Sequence, residues 1–401
     1  MVVPHGSDAA ASDAARLAAI RADLPALQSC TYLNTGTCGP VPRAAAGALA
    51  ARWQADVELG RIGAEHFRQL AETMAAARSA AAGLLGASPE EIVLTTSTTH
   101  GVNIALWGLR WSPGDEIVTT VHEHPGLQVP LADVARRYGV RVRAVAFDPA
   151  DPDDVVAAFR KAATARTRLL AFSHVLWTNG AVLPVRRLAD LARDLGAYVL
   201  VDGAQSTGAL PVNPRELGVH FYSVPGQKWL CGPEGTGALY VAAEALPALQ
   251  VVFGGYFSQQ AVDAETVDYQ PRPGAARFEG IWPPGAAVAG MAAAMEWLRA
   301  VGFDWIWQRT GDLARRLRRA LAGVGAEVLT PEPGAGAPVS GLVSFRVPGL
   351  DPAETASRLI ERGLVVRSIP GPFAAVRAST AFFNTGDEID ALVRAVEEMM
   401  P

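Results

Sequence analysis

A chain of 401 residues, half of them hydrophobic, has the length for two or three domains and enough apolar side chains for large buried cores. Its formal net charge of -5, from acids and bases mixed along the chain, leaves no basic stripe for nucleic acid and no polybasic patch for a membrane surface. The three cysteines, Cys30, Cys38 and Cys231, are too few for a disulfide framework and lack metal-ligand spacing, so no metal is expected and a reducing compartment fits.

The opening run "MVVPHGSDAAASDAARLAAI" has no basic leader region and carries Asp8 and Asp13, and no uncharged apolar run is long enough to span a membrane; a cytoplasmic location is the expectation. From about residue 90 to 245 one rhythm repeats: a short β-rich run, a glycine or polar turn, then an alanine- and arginine-rich helical stretch. The strand candidates are "EIVLTTS", "DEIVTTV", "RVRAVAF", "RLLAFSHV", "AYVLVDG", "HFYSV" and "GALYV". Most are continuous in apolar character, as strands covered on both faces are. Between them "GLQVPLADVARRYG" and "VRRLADLARDLG" have helical spacing and stop at glycine. The alternation predicts a mainly parallel sheet.

Beyond residue 250 come proline and glycine clusters, "YQPRPGAARFEGIWPPG", then one long helical run from Ala286 to about Val324. "TPEPGAGAPVSG" reads as an exposed loop, and the tail alternates "GLVSFRV", helical "DPAETASRLIERG", "LVVRSI", "AAVRAS" and a last helix "GDEIDALVRAVEEMM". The expected division is a large α/β unit over 31–285 and a smaller α+β unit made of 286–401 with the segment 1–30.

Open parallel sheets bind ligands beyond the carboxyl ends of their strands. Four such ends are polar in complementary ways. In "LTTSTTHGVNIALWGL", Ser97, Thr98 and Thr99 stand where a strand turns into a helix, a place for phosphate as well as for an ordinary N-cap. "TTVHEHPGLQVP" brings His122 and His124, and "YVLVDGAQSTGALPV" ends an apolar strand on Asp202 with Gln205 three residues on. "FYSVPGQKWLCGPEGTGALYV" sets Lys228 in a glycine-rich stretch. Of 35 basic residues only Lys161 and Lys228 are lysines. A guanidinium cannot shed its proton to attack an aldehyde, whereas a buried amine can. A phosphate cup, an acid to keep a ring nitrogen protonated, a stacking ring and such an amine are the parts of a pyridoxal 5'-phosphate site. Asp202 beside the ring nitrogen raises that nitrogen's pKa and makes the ring a stronger electron sink.

The order of these stretches, from "YLNTGTCGPVP" to "VRASTAFFNTGDEIDALV", resembles the class V aminotransferase family of fold type I pyridoxal phosphate enzymes, with cysteine/cystine C–S lyases and isopenicillin N epimerase-like members nearest. The resemblance implies the fold type I architecture and a homodimer whose "RFEGIWPPG" segment serves the partner's site. It also implies a role for each matching residue. Lys228 is the Schiff-base lysine, Asp202 the pyridine partner, Gln205 a donor to the phenolic oxygen and His124 the stacking ring. Thr98 and Thr99 match the phosphate-binding pair, Ser223 stands close to it, and Thr178 or Asn179 matches a cofactor-contacting asparagine. Arg377 clamps the substrate carboxylate, and Asn34, in the matching N-terminal stretch, is a second substrate-binding residue. Two departures stand out: Pro225, Gly226 and Gln227 precede Lys228 where the family reads Ser or Thr, then Gly-His, and Trp282 occupies the place of a phosphate-contacting threonine.

Desulfurases need a nucleophilic cysteine on a loop of the small domain. No cysteine follows Cys231, and the corresponding loop offers Arg367 and Ser368. The expected activity is therefore cleavage of the C–S bond of a cysteine derivative by α,β-elimination. Epimerisation, decarboxylation with oxidative deamination, and a catalytically degenerate cofactor-binding protein are the alternatives.

Overall fold

The computed structural model of the chain describes residues 6–334 and 336–400; residues 1–5, which begin the run compared with a leader, lie outside them. Ahead of the main sheet stand α1 (Gly6–Asp23), β1 (Thr31–Tyr32), α2 (Arg43–Leu59) and α3 (Gly63–Leu85). All seven strand candidates form, as β2 (Ile92–Thr95), β3 (Glu116–Thr120), β4 (Arg141–Val145), β5 (Thr167–Ser173), β6 (Tyr198–Asp202), β7 (Phe221–Pro225) and β8 (Gly237–Val241). The helices among them are α4 (Thr98–Gly108), α5 (Pro125–Tyr138), α6 (Pro152–Ala162), α7 (Val185–Leu195) and the short α8 (Pro214–Leu217). In α7 the apolar residues recur at helical spacing, so Val185, Leu188, Ala189, Leu191 and Ala192 are buried on one face while its arginines and aspartates face water.

The sheet runs in the order β2-β8-β7-β6-β5-β3-β4. It is not wholly parallel: β8 pairs antiparallel with both β2 and β7. No helix separates β7 from β8, and without a crossover the chain returns alongside its predecessor in the opposite sense. Nor is every strand covered on both faces. At the sheet edge β4 exposes Arg141 to Ala144, where charge discourages further strand pairing.

After β8 a hairpin of β9 (Gln259–Asp263) and β10 (Asp268–Pro271) rises from the stretch read as proline and glycine clusters. The single long helix expected next is two, α9 (Gly285–Val301) and α10 (Phe303–Gly323), bent by 81° at Gly302. Among the described residues no single helix is long and apolar enough to cross a membrane. The tail forms β11 (Glu327–Val328), β12 (Leu342–Arg346), α11 (Pro352–Glu361), β13 (Leu364–Val365), β14 (Arg367–Ile369), β15 (Ala375–Ser379) and α12 (Gly386–Glu397). "LVVRSI" is thus interrupted, because β13 pairs with β1 while β14 joins an antiparallel sheet in the order β11-β12-β15-β14.

Two apolar cores result. The first fills both faces of the seven-stranded sheet and takes in Ile20 and Leu24 as well as Met291, Met295 and Leu298 of α9. The second joins Leu317 and Leu321 of α10, Phe345 of β12, Leu359 of α11 and Leu392 of α12. Where the two sheets face one another, the strand ends open into a cleft.

Candidate active site

Residues from five turns of the large sheet, from the loop after β1 and from β14 and β15 line one cavity of about 780 Å³, counting its open mouth. Thr98, Thr99, His124, Asp202, Gln205, Lys228 and Arg377, seven of the residues singled out in the sequence, meet there.

At one end α4 begins. Ser97 caps it, its Oγ accepting from the backbone N–H of His100 at 3.1 Å. The first-turn amides of a helix have no partner within it and face outward. Thr98 Oγ1 is buried and makes no hydrogen bond. The turn is fixed from behind by Ser223, whose Oγ donates to the Thr98 carbonyl at 2.8 Å. Gly101 makes this possible, since a Cβ there would lie 2.2 Å from Ser223 Oγ.

Lys228 is partly buried in the turn joining β7 to β8, and its amine makes no hydrogen bond or ion pair to a described residue. Loss of water, offset by the nearby Asp202 carboxylate and aided by Arg377, lowers its pKa from the ordinary 10.5 to about 8. Asp202, at the end of β6, is 5% exposed and accepts from the Ala204 amide at 2.8 Å. Burial pushes its pKa up, with Lys228 opposing. The loop after β1 secures the backbone here. Gly39 donates to the Gln227 carbonyl at 2.7 Å, and any Cβ on Gly39 would sit 2.2 Å from the Lys228 carbonyl oxygen.

Two guanidinium groups face the lysine. Arg377, in β15, is 2% exposed; its Nη1 donates to the Trp177 carbonyl at 2.9 Å and its Nε is buried without a partner. Arg367 opens β14. The Thr37 hydroxyl accepts from Arg367 at 3.3 Å and from Arg377 at 3.4 Å while donating to Asn34 Oδ1 at 2.7 Å. Burial, with the neighbouring Arg367 charge, lowers the Arg377 pKa to about 9. Neither arginine has a carboxylate partner among the described residues, so the pair presents positive charge to the cavity. His124 caps α5, its Nδ1 accepting from Gly126 at 3.0 Å, and Trp177 meets the ring edge-on at 5.2 Å. Burial and the three cations depress the His124 pKa to about 4, so the ring is neutral.

Four of the chosen residues stand outside the lining. Ser223 supports Thr98 as described. Thr178 meets His122 Nδ1 through its Oγ1 at 3.1 Å, and its carbonyl accepts from Ser344. Asn179 accepts from the Ala181 amide within its own turn, and Asn34 holds Thr37. Gln205 lines the cavity with its amide half used: Nε2 donates to the Gly36 carbonyl and Oε1 accepts from Trp229, leaving one N–H free. Sequence reasoning passed over Thr37, Trp177 and Ser173, all in the wall: Thr37 and Trp177 sit in irregular turns where no periodicity marks a side chain as inward, and Ser173 ends β5 as an ordinary small polar residue.

The donors suit pyridoxal phosphate. The orphaned Thr98 hydroxyl at a helix N-terminus fits a phosphate, buried Asp202 fits a protonated ring nitrogen, and the unpartnered, easily deprotonated amine of Lys228 fits an aldehyde.

Comparison with known proteins agrees. The family model described as aminotransferase class-V matches residues 45–392. A probable cysteine desulfurase of Methanothermobacter thermautotrophicus is 29% identical over 400 residues, covering 95% of this chain and 97% of the relative. An isopenicillin N epimerase of Amycolatopsis lactamdurans is 33% identical over 392 residues, covering 92% of this chain and 95% of the relative. Among solved structures, the cystine C–S lyase C-DES in complex with its product cysteine persulfide is similar with a TM-score of 0.88 at 30% identity, covering 94% of this chain and 100% of that one.

Proposed function

The chain belongs to the aminotransferase class-V family, and from that premise we propose that it is a pyridoxal-phosphate-dependent carbon–sulfur lyase, cleaving the C–S bond of a cysteine derivative by α,β-elimination. The observation that carries this reading is a cavity combining Lys228, Asp202 and Arg377 with no thiol in its wall. Cys231 is fully buried and its thiol pKa is pushed up to about 12 by loss of water. Cys38 lies outside the lining against Glu234, and burial with that carboxylate raises its pKa too. Neither is poised as the thiolate that a persulfide-forming desulfurase requires.

Bound in the cavity, pyridoxal phosphate would draw electrons from the substrate's α-carbon through a protonated pyridine ring. The first turn of α4, with Thr98 and Thr99, would hold its phosphate, Asp202 its ring N–H, His124 the ring face and Lys228 its aldehyde carbon. Arg377 accepts the substrate α-carboxylate in a fork of two N–H donors. Lys228 Nζ, released when the substrate's amine replaces it at the aldehyde carbon, would take the α-proton. The sulfur then leaves with the C–S electron pair, and water converts the three-carbon remainder to pyruvate and ammonia. Arg367, beside Arg377 at Thr37, offers the cavity a second positive charge, which would favour sulfur substituents that end in an acidic group, as cystine's does.

The test incubates the protein and pyridoxal phosphate with cystine and other S-substituted cysteines and measures pyruvate, ammonia and the released sulfur product, a persulfide from cystine and a thiol from thioether substrates, in equal amounts. Turnover without pyruvate overturns the elimination. A racemised amino acid instead favours the second reading, epimerisation, which the isopenicillin N epimerase relatives support.

The same reading includes a homodimer in the cytoplasm. Phe67, Tyr256 and Trp282 are exposed by 41%, 64% and 54% yet contact one another at 6.0 to 6.4 Å between centroids. Such an aromatic face suits a second copy.

A further inference from the structure

Directly beneath the cavity lies an acid to which no catalytic part has been given. Glu123 follows β3 and is 2% exposed. Its Oε1 accepts from Thr120 Oγ1 at 2.7 Å and from the Ser173 amide at 3.2 Å, and its Oε2 accepts from Ser173 Oγ at 2.5 Å. No arginine or lysine pairs with it. Ser173 lines the cavity and is the register partner of Asp202 across β5 and β6. Glu123, in the turn after β3, and Asp202, at the end of β6, therefore flank the end of β5 from either side, with Ser173 between them.

We infer that Glu123 is a positioning residue whose negative charge, held by Ser173 and Thr120 behind Asp202, tunes the proton affinity of the cationic group bound against Asp202. The inference rests on the pyridoxal phosphate reading, not on the choice of substrate. Three donors favour the Glu123 anion, while burial and Asp202 oppose it and raise its pKa to about 7. Asp202 is the charged group that bears on it. His122 and His124 of its own turn and His174 just after β5 have pKa values depressed by burial and are uncharged near neutrality. Lys228 faces Asp202 from the β7–β8 turn. Two buried carboxylates, with one amine on the far side of Asp202 to answer them, hold both charges poorly. A cationic ring settled at Asp202 relieves that repulsion, so Glu123 ionises more fully when the ring is bound and in turn makes loss of a proton from the bound cation harder.

The test reads the bound cofactor's own visible absorption as a function of pH, in holoenzyme without substrate. In Glu123→Gln, which keeps the size and the capacity to accept from Ser173, the midpoint of the absorption change should fall by roughly half a unit to one unit as a negative charge is lost. Glu123→Asp should return toward wild type. An unchanged midpoint in Glu123→Gln, with or without loss of thermal stability, overturns the inference, because a role confined to joining β3 and β5 lowers stability alone. If Glu123→Gln does not fold, Ser173→Ala serves. It removes the 2.5 Å hydrogen bond that favours the Glu123 anion, so the midpoint must fall in the same direction. A wild-type protein that takes no cofactor on Lys228 would instead overturn the reading on which this rests.

Discussion

Lys228 is the amine that this arginine-rich chain keeps in its site, and its pKa of about 8 makes cofactor capture pH-dependent in a stated direction. Only the uncharged amine attacks an aldehyde, so capture of pyridoxal phosphate by apoprotein should rise with pH and level off above 8, and run roughly a hundredfold slower two units lower. Stopped-flow absorbance measures it, and a pH-independent rate would remove the lysine. Borohydride should fix the cofactor to Lys228 and leave Lys161 unlabelled; in Lys228→Arg no label should form. Arg377→Ala should weaken substrate binding by about 2 to 5 kcal/mol while the cofactor spectrum persists, as a titration of that spectrum with substrate would show. Lys228 and Asp202 were legible because a lysine is rare in this chain and an acid ending an apolar strand needs a partner, whereas Arg377 was named through the family resemblance alone. Glu123 stands in the same "VHEHPG" run as His124, but nothing in a polar turn reveals that one carboxyl is 2% exposed.

At the scale of elements, α4 is held in place by a contact outside the cavity. Gly101→Ala would drive Ser223 from the Thr98 carbonyl, so cofactor affinity should fall about tenfold or more, the loss of a buried hydrogen bond, with Lys228 and Asp202 unaltered. Equilibrium dialysis of pyridoxal phosphate measures this. Glu279, 4% exposed, anchors the strap before α9 by pairing with Arg78 and accepting from the Leu94 amide. Glu279→Ala strands both partners and should cost about 3 to 5 kcal/mol in denaturant unfolding. The strands were readable because apolar runs between turn signals have few alternatives. The reversal of β8 was written in the connection, since "GQKWLCGPEGT" carries no helical period from which to build a crossover, but the repeating strand–helix rhythm on either side masked it. The bend at Gly302 was hidden as well: helical spacing continues across "RAVGFDW", and the 81° turn comes from docking α9 and α10 on different cores.

For the whole molecule, packing sets Ile20 and α9 with the large sheet and the C-terminal part of α10 with the small one. A boundary inside α10 therefore suits the cores better than one at residue 285. The proposed dimer predicts that Trp282→Asp shifts the sedimentation coefficient to that of a monomer and lowers activity; an active monomer would contradict it. One pairing has a consequence in time. β1 is hydrogen-bonded to β13, Thr31 to Leu364 and Tyr32 to Val365 in register, across more than three hundred residues of chain. At a ribosomal pace of about 5 to 20 residues per second, roughly 17 to 67 s of synthesis separate the two strands, and until then Thr37 has Asn34 to hold it but neither arginine. The phosphate end and the lysine are complete long before Arg367 and Arg377 emerge. Each newborn molecule thus possesses the machinery for gripping a cofactor before it owns any for choosing a substrate.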